Sequence, residues 1–441
     1  MDSAKIISER QTYSTCRSWS ICFVASLFFF YEIVQLTVFN TISGDLTRVF
    51  SLSTLELCHL SAYYLYACAV FLLPAGLLLD RFSTKKLLVI TCGLCTLGTV
   101  LIPAASTVEV ATLGRILTGI GNTIAFLGCM RLICRWFPAN RIALAMGLSV
   151  TIAMTGGIVS QTPFALLINI IGWQQAMFIN AAIGGIITLL IIFIVKDAPS
   201  SYTRSTQLVN SVAHIGFWNS LKKASSKLQN WLCGLYTSCL NLPVMMIGAL
   251  WGNLYLTQGR GFSATQAGNI TSVIFFGLII GAPLMGWLSD RLKSRRKPML
   301  ISSCAIFLVI LAIIYLSLPT ITLSILFFTL GFLSGSQVLS YPVVSESNPP
   351  HLESTCLGLV AVIVNIGGAV SQILFGWLVN LKWNGLIENG IPVHTISGYR
   401  FALIMLPLAF FVSFLAAVFM RDTYPSVSSE INYASTAGIA S

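Results

Sequence analysis

Two basic turns, Gly76-Leu-Leu-Leu-Asp80-Arg81-Phe-Ser-Thr-Lys85-Lys86 and Gly286-Trp-Leu-Ser-Asp290-Arg291-Leu-Lys-Ser-Arg295-Arg296-Lys297, each close an apolar run and lie 210 residues apart, from Gly76 to Gly286. A chain that repeats a helix-ending turn at that interval is built from two related halves. Hydrophobic residues make up 56% of the 441 and charged residues only 9%. A soluble globule carries about a quarter charged residues, so this chain has too little polar surface to stand in water. It belongs in lipid.

At about 20 apolar residues per span, the runs predict helices near Trp19–Asn40, His59–Leu79, Leu87–Ala104, Glu109–Ile133, Ala143–Ile168 and Trp173–Val195. The second half repeats them near Trp231–Leu256, Ala264–Ser289, Met299–Leu318, Thr320–Val343, Thr355–Leu381 and Tyr399–Met420. The expected organisation is an N-terminal stretch 1–18, a first bundle 19–195, a linker 196–230, a second bundle 231–420 and a tail 421–441. The linker places Lys222, Lys223 and Lys227 near Phe217, Trp218 and Leu221, a pattern suited to the membrane surface. The Ser- and Ala-rich tail is expected to be disordered.

The net charge of +11 comes from Lys and Arg clustered in short loops, not from a stripe, so a nucleic-acid partner is not expected. Nearly all these cations fall on one side, which puts both termini in the cytoplasm. The first apolar run is too long for a signal-peptide core and is a membrane span. A bacterial inner membrane and a monomer are expected. The twelve cysteines sit mostly inside apolar runs, and the Cys92-x-x-Cys95 pair lies within a span, where packing is the expected role. His59, His214, His351 and His394 have no ligand spacing, and neither a nucleophile elbow nor a P-loop occurs. No metal, no cofactor and no enzymatic activity are expected.

The first turn resembles the signature loop of the major facilitator superfamily, Gly-x-Leu-x-Asp-Arg-x-Gly-Arg-Lys, with Gly76, Leu78, Asp80, Arg81 and Lys85 in register and Ser83 and Thr84 departing from it. The second keeps Gly286, Leu288, Asp290, Arg291 and Arg295, with Lys293 where the family usually has Gly. Gly114-Arg115 through Gly119 and Gly121 resembles the fourth-helix Arg-x-x-x-Gly-x-Gly. Trp136-Phe-Pro138 through Arg141 to Gly147, and Gly172-Trp173, resemble the junctions before the fifth and sixth helices. The resemblance implies an all-α membrane protein of twelve transmembrane helices, arranged as two six-helix bundles around a central cavity that opens alternately to either side without ATP hydrolysis. Asp80 and Asp290 end their helices beside cations. Each is expected to accept from N–H groups at a neighbouring helix N-terminus and so latch the inner face.

A charge at bilayer depth costs about 3 kcal/mol on insertion scales and marks a functional site by default. Glu32 lies mid-way along the first span, with Gln35 on the same face and Tyr31 close by. It serves either as a proton carrier, as a ligand for a substrate amine, or as a buried carboxyl paired with Arg115 or a backbone group for packing alone. Arg115 is the cation of the fourth span, and the resemblance implies for it a part in substrate binding or proton coupling; the alternative is a structural pair with Glu32 or a carbonyl. Asn122 stands two turns further along that face, and Gln161 lies in the fifth span. Asn241, Gln337, Tyr341 and Asn365 are polar candidates in the second half, which carries no acid or base at depth. This asymmetry favours a small solute whose charge is held by the first half: an amino acid, short peptide or organic carboxylate, taken up with a coupling proton. An exporter of amphipathic compounds, received by Phe28, Phe29, Phe30 and Tyr31, or a uniporter, is the alternative.

Overall fold

The computed structural model describes residues 15–137, 139–198, 217–316, 319–349, 352–388 and 391–424. Among these residues twelve helices are long and apolar enough to cross a membrane: α1 Cys16–Phe50, α2 Thr54–Leu72, α3 Thr84–Ala104, α4 Val108–Trp136, α5 Leu144–Ile171, α6 Trp173–Ile194, α7 Leu228–Gly259, α8 Ala264–Arg291, α9 Arg296–Tyr315, α10 Thr320–Ser347, α11 Thr355–Leu381 and α12 Ile396–Phe419. Helical geometry in α2 continues to Arg81. With an even number of crossings, both ends of the described chain lie on one side, here called the terminal face, opposite the far face.

The duplication extends beyond the basic turns. Ser53 opens α2 and Ser263 opens α8, again 210 residues apart, and each forms a capping box with the residue three further on, Glu56 and Gln266. Each helix then carries one internal proline, Pro74 and Pro283.

Three departures from the sequence expectation position the site. First, α1 runs to Phe50, ten residues past the expected end at Asn40. Residues 41–50 look loop-like by composition, but Ile42 and Leu46 are fully buried and Thr47 Oγ donates back to the Ser43 carbonyl at 2.8 Å, which holds the helix together. Second, α7 is not α-helical throughout: Pro243–Trp251 and Tyr255–Gly259 are π-helical, separated by the short α turn Gly252–Leu254. Third, α4 is interrupted at Thr123–Ile124, between Val108–Asn122 and Ala125–Trp136. The linker contains a helix, Phe217–Ser226, and a two-residue hairpin pairs Ile387–Glu388 with Ile391–Pro392 before α12.

The two bundles meet through their far halves. In α5 and α8 the backbone of Gly157 comes so close to Phe275 that a Cβ would stand 2.3 Å from the ring, and nearer the far face Thr162 Oγ1 donates to Asn269 Oδ1 at 2.8 Å. In α2 and α11 a Cβ on Gly376 would stand 2.3 Å from Cys58 Sγ. At the terminal-face ends of α5 and α8, Gly147 and Gly286 have open space where a Cβ would be.

Candidate functional site

The polar centre of the first bundle is built by α1, α2 and α4. Close approach of α4 to α2 is possible because residue 119 is glycine: a Cβ there would lie 2.4 Å from the Tyr64 carbonyl oxygen. Gly121 does the same against Thr91 in α3, at 2.6 Å. Arg115, one turn earlier, is thereby thrust between the helices and is only 2% exposed. Its Nη1 donates to the Gln35 carbonyl at 3.0 Å and its Nη2 to the Ser61 carbonyl at 3.3 Å. The guanidinium lies over the rings of Phe39 and Tyr64, 4.6 and 4.8 Å from their centroids. Rings and carbonyls stabilise the cation in this apolar place. Nε has no partner, and no carboxylate among the described residues forms an ion pair with this side chain. Of the expected structural alternatives, no Glu32–Arg115 ion pair is formed among the described residues, whereas the backbone partners are present: two carbonyls for Arg115 and the Phe126 N–H for Glu32.

Around Arg115 lie further unanswered polar atoms. Both side-chain atoms of the fully buried Gln35 lack a partner, as do Glu32 Oε2, Ser61 Oγ and Asn122 Oδ1. Asn122 Nδ2 donates to the Tyr64 hydroxyl at 2.9 Å, while the Phe126 backbone N–H faces the Glu32 carboxylate. Unpaired buried polar groups each cost about 1–3 kcal/mol, and this concentration of them makes the cluster the candidate site of the first bundle. The cluster borders the seam between bundles, where Leu36, Tyr64, Leu65 and Cys68 pack with Ala249 and Ala369. Across it, Gln372 Nε2 donates to the Met245 carbonyl and leaves Oε1 free.

The remaining candidates are placed elsewhere. Tyr31 points away from Glu32, into the packing of α3 and α6, with its hydroxyl on Thr99 Oγ1 at 3.1 Å. Gln161 joins the two bundles at the far face: it accepts from Asn40 Nδ2 at 2.9 Å and donates to the carbonyls of Thr37 and Gly248 at 3.2 and 3.0 Å. Asn241 caps the first segment of α7, Gln337 is buried in the 3₁₀ turn Gly335–Leu339 of α10, Tyr341 is 38% exposed, and Asn365 Nδ2 bonds its own helix at the Ala361 carbonyl. None of these four shares a bond with the Arg115 cluster. Sequence reasoning missed Tyr64, Ser61 and Asn40; the signal for the first two was a cluster of Ser and Tyr, Ser61 to Tyr66, in an otherwise apolar span, and for Asn40 a lone carboxamide at the expected end of the first span.

The sequence profile of the Major Facilitator Superfamily matches residues 21–371 and, in a second match, 235–437. The chain belongs to the Major Facilitator Superfamily. Among its relatives are a probable sulfoacetate transporter, SauU, of Cupriavidus necator, 24% identical over 376 residues that cover 81% of this chain and 86% of that one, and a probable galactarate/D-glucarate transporter, GudP, of Escherichia coli, 22% identical with 79% and 84% covered. The fold is that of a bacterial homologue of the human lysosomal transporter Spinster, solved inward-facing and unoccupied, with a TM-score of 0.73, 17% identity and coverage of 92% and 98%. The molecule is thus a multi-pass integral membrane protein of a transporter superfamily.

Of the superfamily's two signature loops, the structure describes the acid of the second. The side chains of Asp80 and Arg81 lie outside the described residues. Among the described residues the Asp290 carboxylate takes Arg295 Nη1 at 2.9 Å, within its own bundle. Arg295 also bonds Glu346 of α10 at 3.0 Å and lies 4.9 Å from the Tyr424 ring centroid, while Arg291 lies over Trp287. The N-termini of α3 and α9 are answered instead by acids that follow the sixth helix of each half. Ser83 Oγ donates to Asp197 Oδ2 at 2.5 Å, and the Lys85 N–H donates to Oδ1 at 2.9 Å. In the second half Ser294 Oγ donates to Asp422, whose Oδ1 takes the Arg295 N–H at 2.9 Å. Both serines also accept from the N–H three residues on. Residues 421–424 of the expected tail are therefore docked on the bundle, and the rest of it lies outside the described residues.

Proposed function

We propose that this chain is a secondary carrier for small organic anions, importing them by alternating access together with a proton, with Arg115 as the anchor for the anion. One observation carries the reading: Arg115 is a fully buried cation with no carboxylate partner among the described residues and with Nε unused. A planar guanidinium with open N–H groups fits a carboxylate or sulfonate oxygen. The relatives named for sulfoacetate and for galactarate and D-glucarate, all organic anions, support this class.

Glu32 supplies the coupling. It shares the buried cluster with Arg115 without pairing to it, and an uncompensated charge at bilayer depth costs about 3 kcal/mol. The empty site is therefore best balanced with Glu32 ionised against Arg115; in the occupied site one carboxylate or sulfonate of the substrate replaces Glu32 as the counter-charge of Arg115, and Glu32 is protonated. Anion and proton then cross together, and neither crosses alone. The Lys and Arg bias supports a cytoplasmic terminal face carrying both termini, and the relatives in Cupriavidus necator and Escherichia coli support a bacterial membrane.

Proteoliposomes loaded at alkaline internal pH test this with sulfoacetate, D-glucarate and an amino-acid control. Accumulation of an anion that collapses when the proton gradient is dissipated is expected. Arg115→Gln should abolish protection of the purified chain against heat by that anion. Glu32→Gln should retain exchange of internal for external anion and lose gradient-driven accumulation. Protection that survives Arg115→Gln removes the reading.

A further inference from the structure

We propose that Gln161 and Asn40 are the positioning residues of the far-face gate: they close it by completing a gap in the hydrogen-bond ladder of α7, so that opening and the helical register of α7 are one event. The inference goes beyond the substrate reading and needs only that the bundles part at the far face.

The gap follows from the change of helix type. The π segment Pro243–Trp251 ends with the Gly252 N–H donating to the Ile247 carbonyl, five residues back. The turn that follows, Gly252–Leu254, is α. The next pair in the five-residue register is the Asn253 N–H and the Gly248 carbonyl, and at the change to four-residue spacing this pair is interrupted, so that the Gly248 carbonyl is skipped. A skipped carbonyl in a buried helix must find another donor. It finds Gln161 Nε2 from the opposite bundle, at 3.0 Å.

The next amide along α7 is answered from the same side. The Asn253 N–H donates to Asn40 Oδ1 at 3.0 Å, and Asn253 Nδ2 reaches the Asn40 carbonyl at 3.4 Å. Asn40 Nδ2 in turn donates to Gln161 Oε1 at 2.9 Å, so the two first-bundle side chains are held to each other as they enter α7. Gln161 is itself pinned by the Thr37 carbonyl at 3.2 Å, and Asn253 Oδ1 accepts from Thr271 of α8 at 3.2 Å. Gln161, Asn40 and Gly248 are all buried, which makes each bond costly to lose without replacement. Two carboxamides thus satisfy one freed carbonyl and one amide. If the bundles separate here, α7 keeps both groups satisfied only by regaining a regular ladder. That makes α7 a two-state element whose state is set by whether the far face is shut.

The test uses the full chain in nanodiscs, with exposed Cys16, Cys134 and Cys304 replaced by Ser and spin labels at Val49→Cys and Ala264→Cys, exposed positions at the far ends of α1 and α8. Gln161→Met, close in volume and without a donor, should raise the ratio of the longer to the shorter label distance about tenfold, the change that 1.4 kcal/mol gives. Asn40→Leu should act in the same direction. In both, deuterium exchange of peptides covering residues 243–259 should slow as the ladder closes. Thr162→Val, which removes an exposed cross-bundle bond that does not reach α7, should leave that exchange unchanged. An unaltered distance ratio overturns the proposal, and so does a gate that opens while exchange in α7 stays as in the parent. If Gln161→Met does not fold, Gln161→Glu at alkaline pH, which keeps the acceptor for Asn40 and removes the donor, decides in the same way.

Discussion

Arg115 shows what a single side chain at depth reveals about its surroundings. A lone Arg in a span carries a signal because few other groups there are charged, and Glu32, Gln35 and Asn122 were visible for the same reason. Its partners were not. Tyr64 and Ser61 are of types that pack unremarkably in any span, and only the glycine-enabled approach of α4 to α2 turns them toward the cation. Tyr31 looked like part of the Glu32 face, but a neighbour in sequence points some 100° around a helix and lands in a different wall. This geometry makes Arg115→Lys a severe change although it keeps the charge. A compact ammonium cannot lie flat between the rings of Phe39 and Tyr64 and reach two carbonyls, so anion affinity by calorimetry should fall about 10- to 100-fold. Tyr64→Phe keeps the ring over Arg115 and removes the acceptor for Asn122 Nδ2. It should lower stability by about 1 kcal/mol and weaken anion binding by less than Arg115→Lys does, and equal losses would show that the hydroxyl itself touches the anion.

At the scale of elements, apolar run length placed the spans well because hydrocarbon thickness sets it. Departures within a helix depend on what the neighbours donate, which a run of apolar letters does not record. The π segments of α7 are such a case, since Pro243 through Trp251 reads as an ordinary greasy helix. The helix ends of the signature loops are another. The loop itself was legible, but the acids that answer α3 and α9 lie 112 and 127 residues away in sequence, at Asp197 and Asp422. Partial burial alone would raise the Asp422 carboxyl, but bonds from Ser294 and from the backbone N–H groups of Arg295, Tyr424 and Arg296 outweigh it and hold it below the usual carboxylate range. The folded value lies below the unfolded one. Its stabilisation is therefore complete above about pH 4, the ordinary Asp value, and is lost as pH falls through the depressed folded value. Asp422→Asn should cost about 1 kcal/mol at neutral pH, as for a lost helix cap, and the difference from the parent in thermal unfolding should vanish in strong acid. Asp197→Asn should show a loss of similar size if the two halves use the device alike.

For the molecule as a whole, the repeat announced two bundles, but which face they close was not readable, because closure is decided by contacts between halves that share no local pattern. His394 is the clearest example: the sequence offers it as a scattered histidine, and the fold places it on the seam. In the connection before α12 its Nε2 sits 2.9 Å from Thr54 Oγ1 at the start of α2, so it ties the second bundle to the first. Its backbone N–H and the Tyr399 hydroxyl both donate to Gln258 Oε1, at 3.3 and 2.8 Å, and the ring Nδ1 is buried without a partner. Burial penalises the charged ring and pushes its pKa down to about 4, against about 6.5 for a free imidazole. Between those values the unfolded chain binds a proton that the closed fold excludes, so stability must fall as pH drops from about 6.5 toward 4 and level off below. The same proton should favour separation at the far face, since an open seam hydrates the ring. In the parent, the melting temperature should decline across that window while the longer label distance at the far face gains population. His394→Gln retains a side-chain amide for Thr54 and has nothing to titrate, so both trends should flatten. If the variant declines with pH as steeply as the parent, the acid sensitivity of the seam resides in another group.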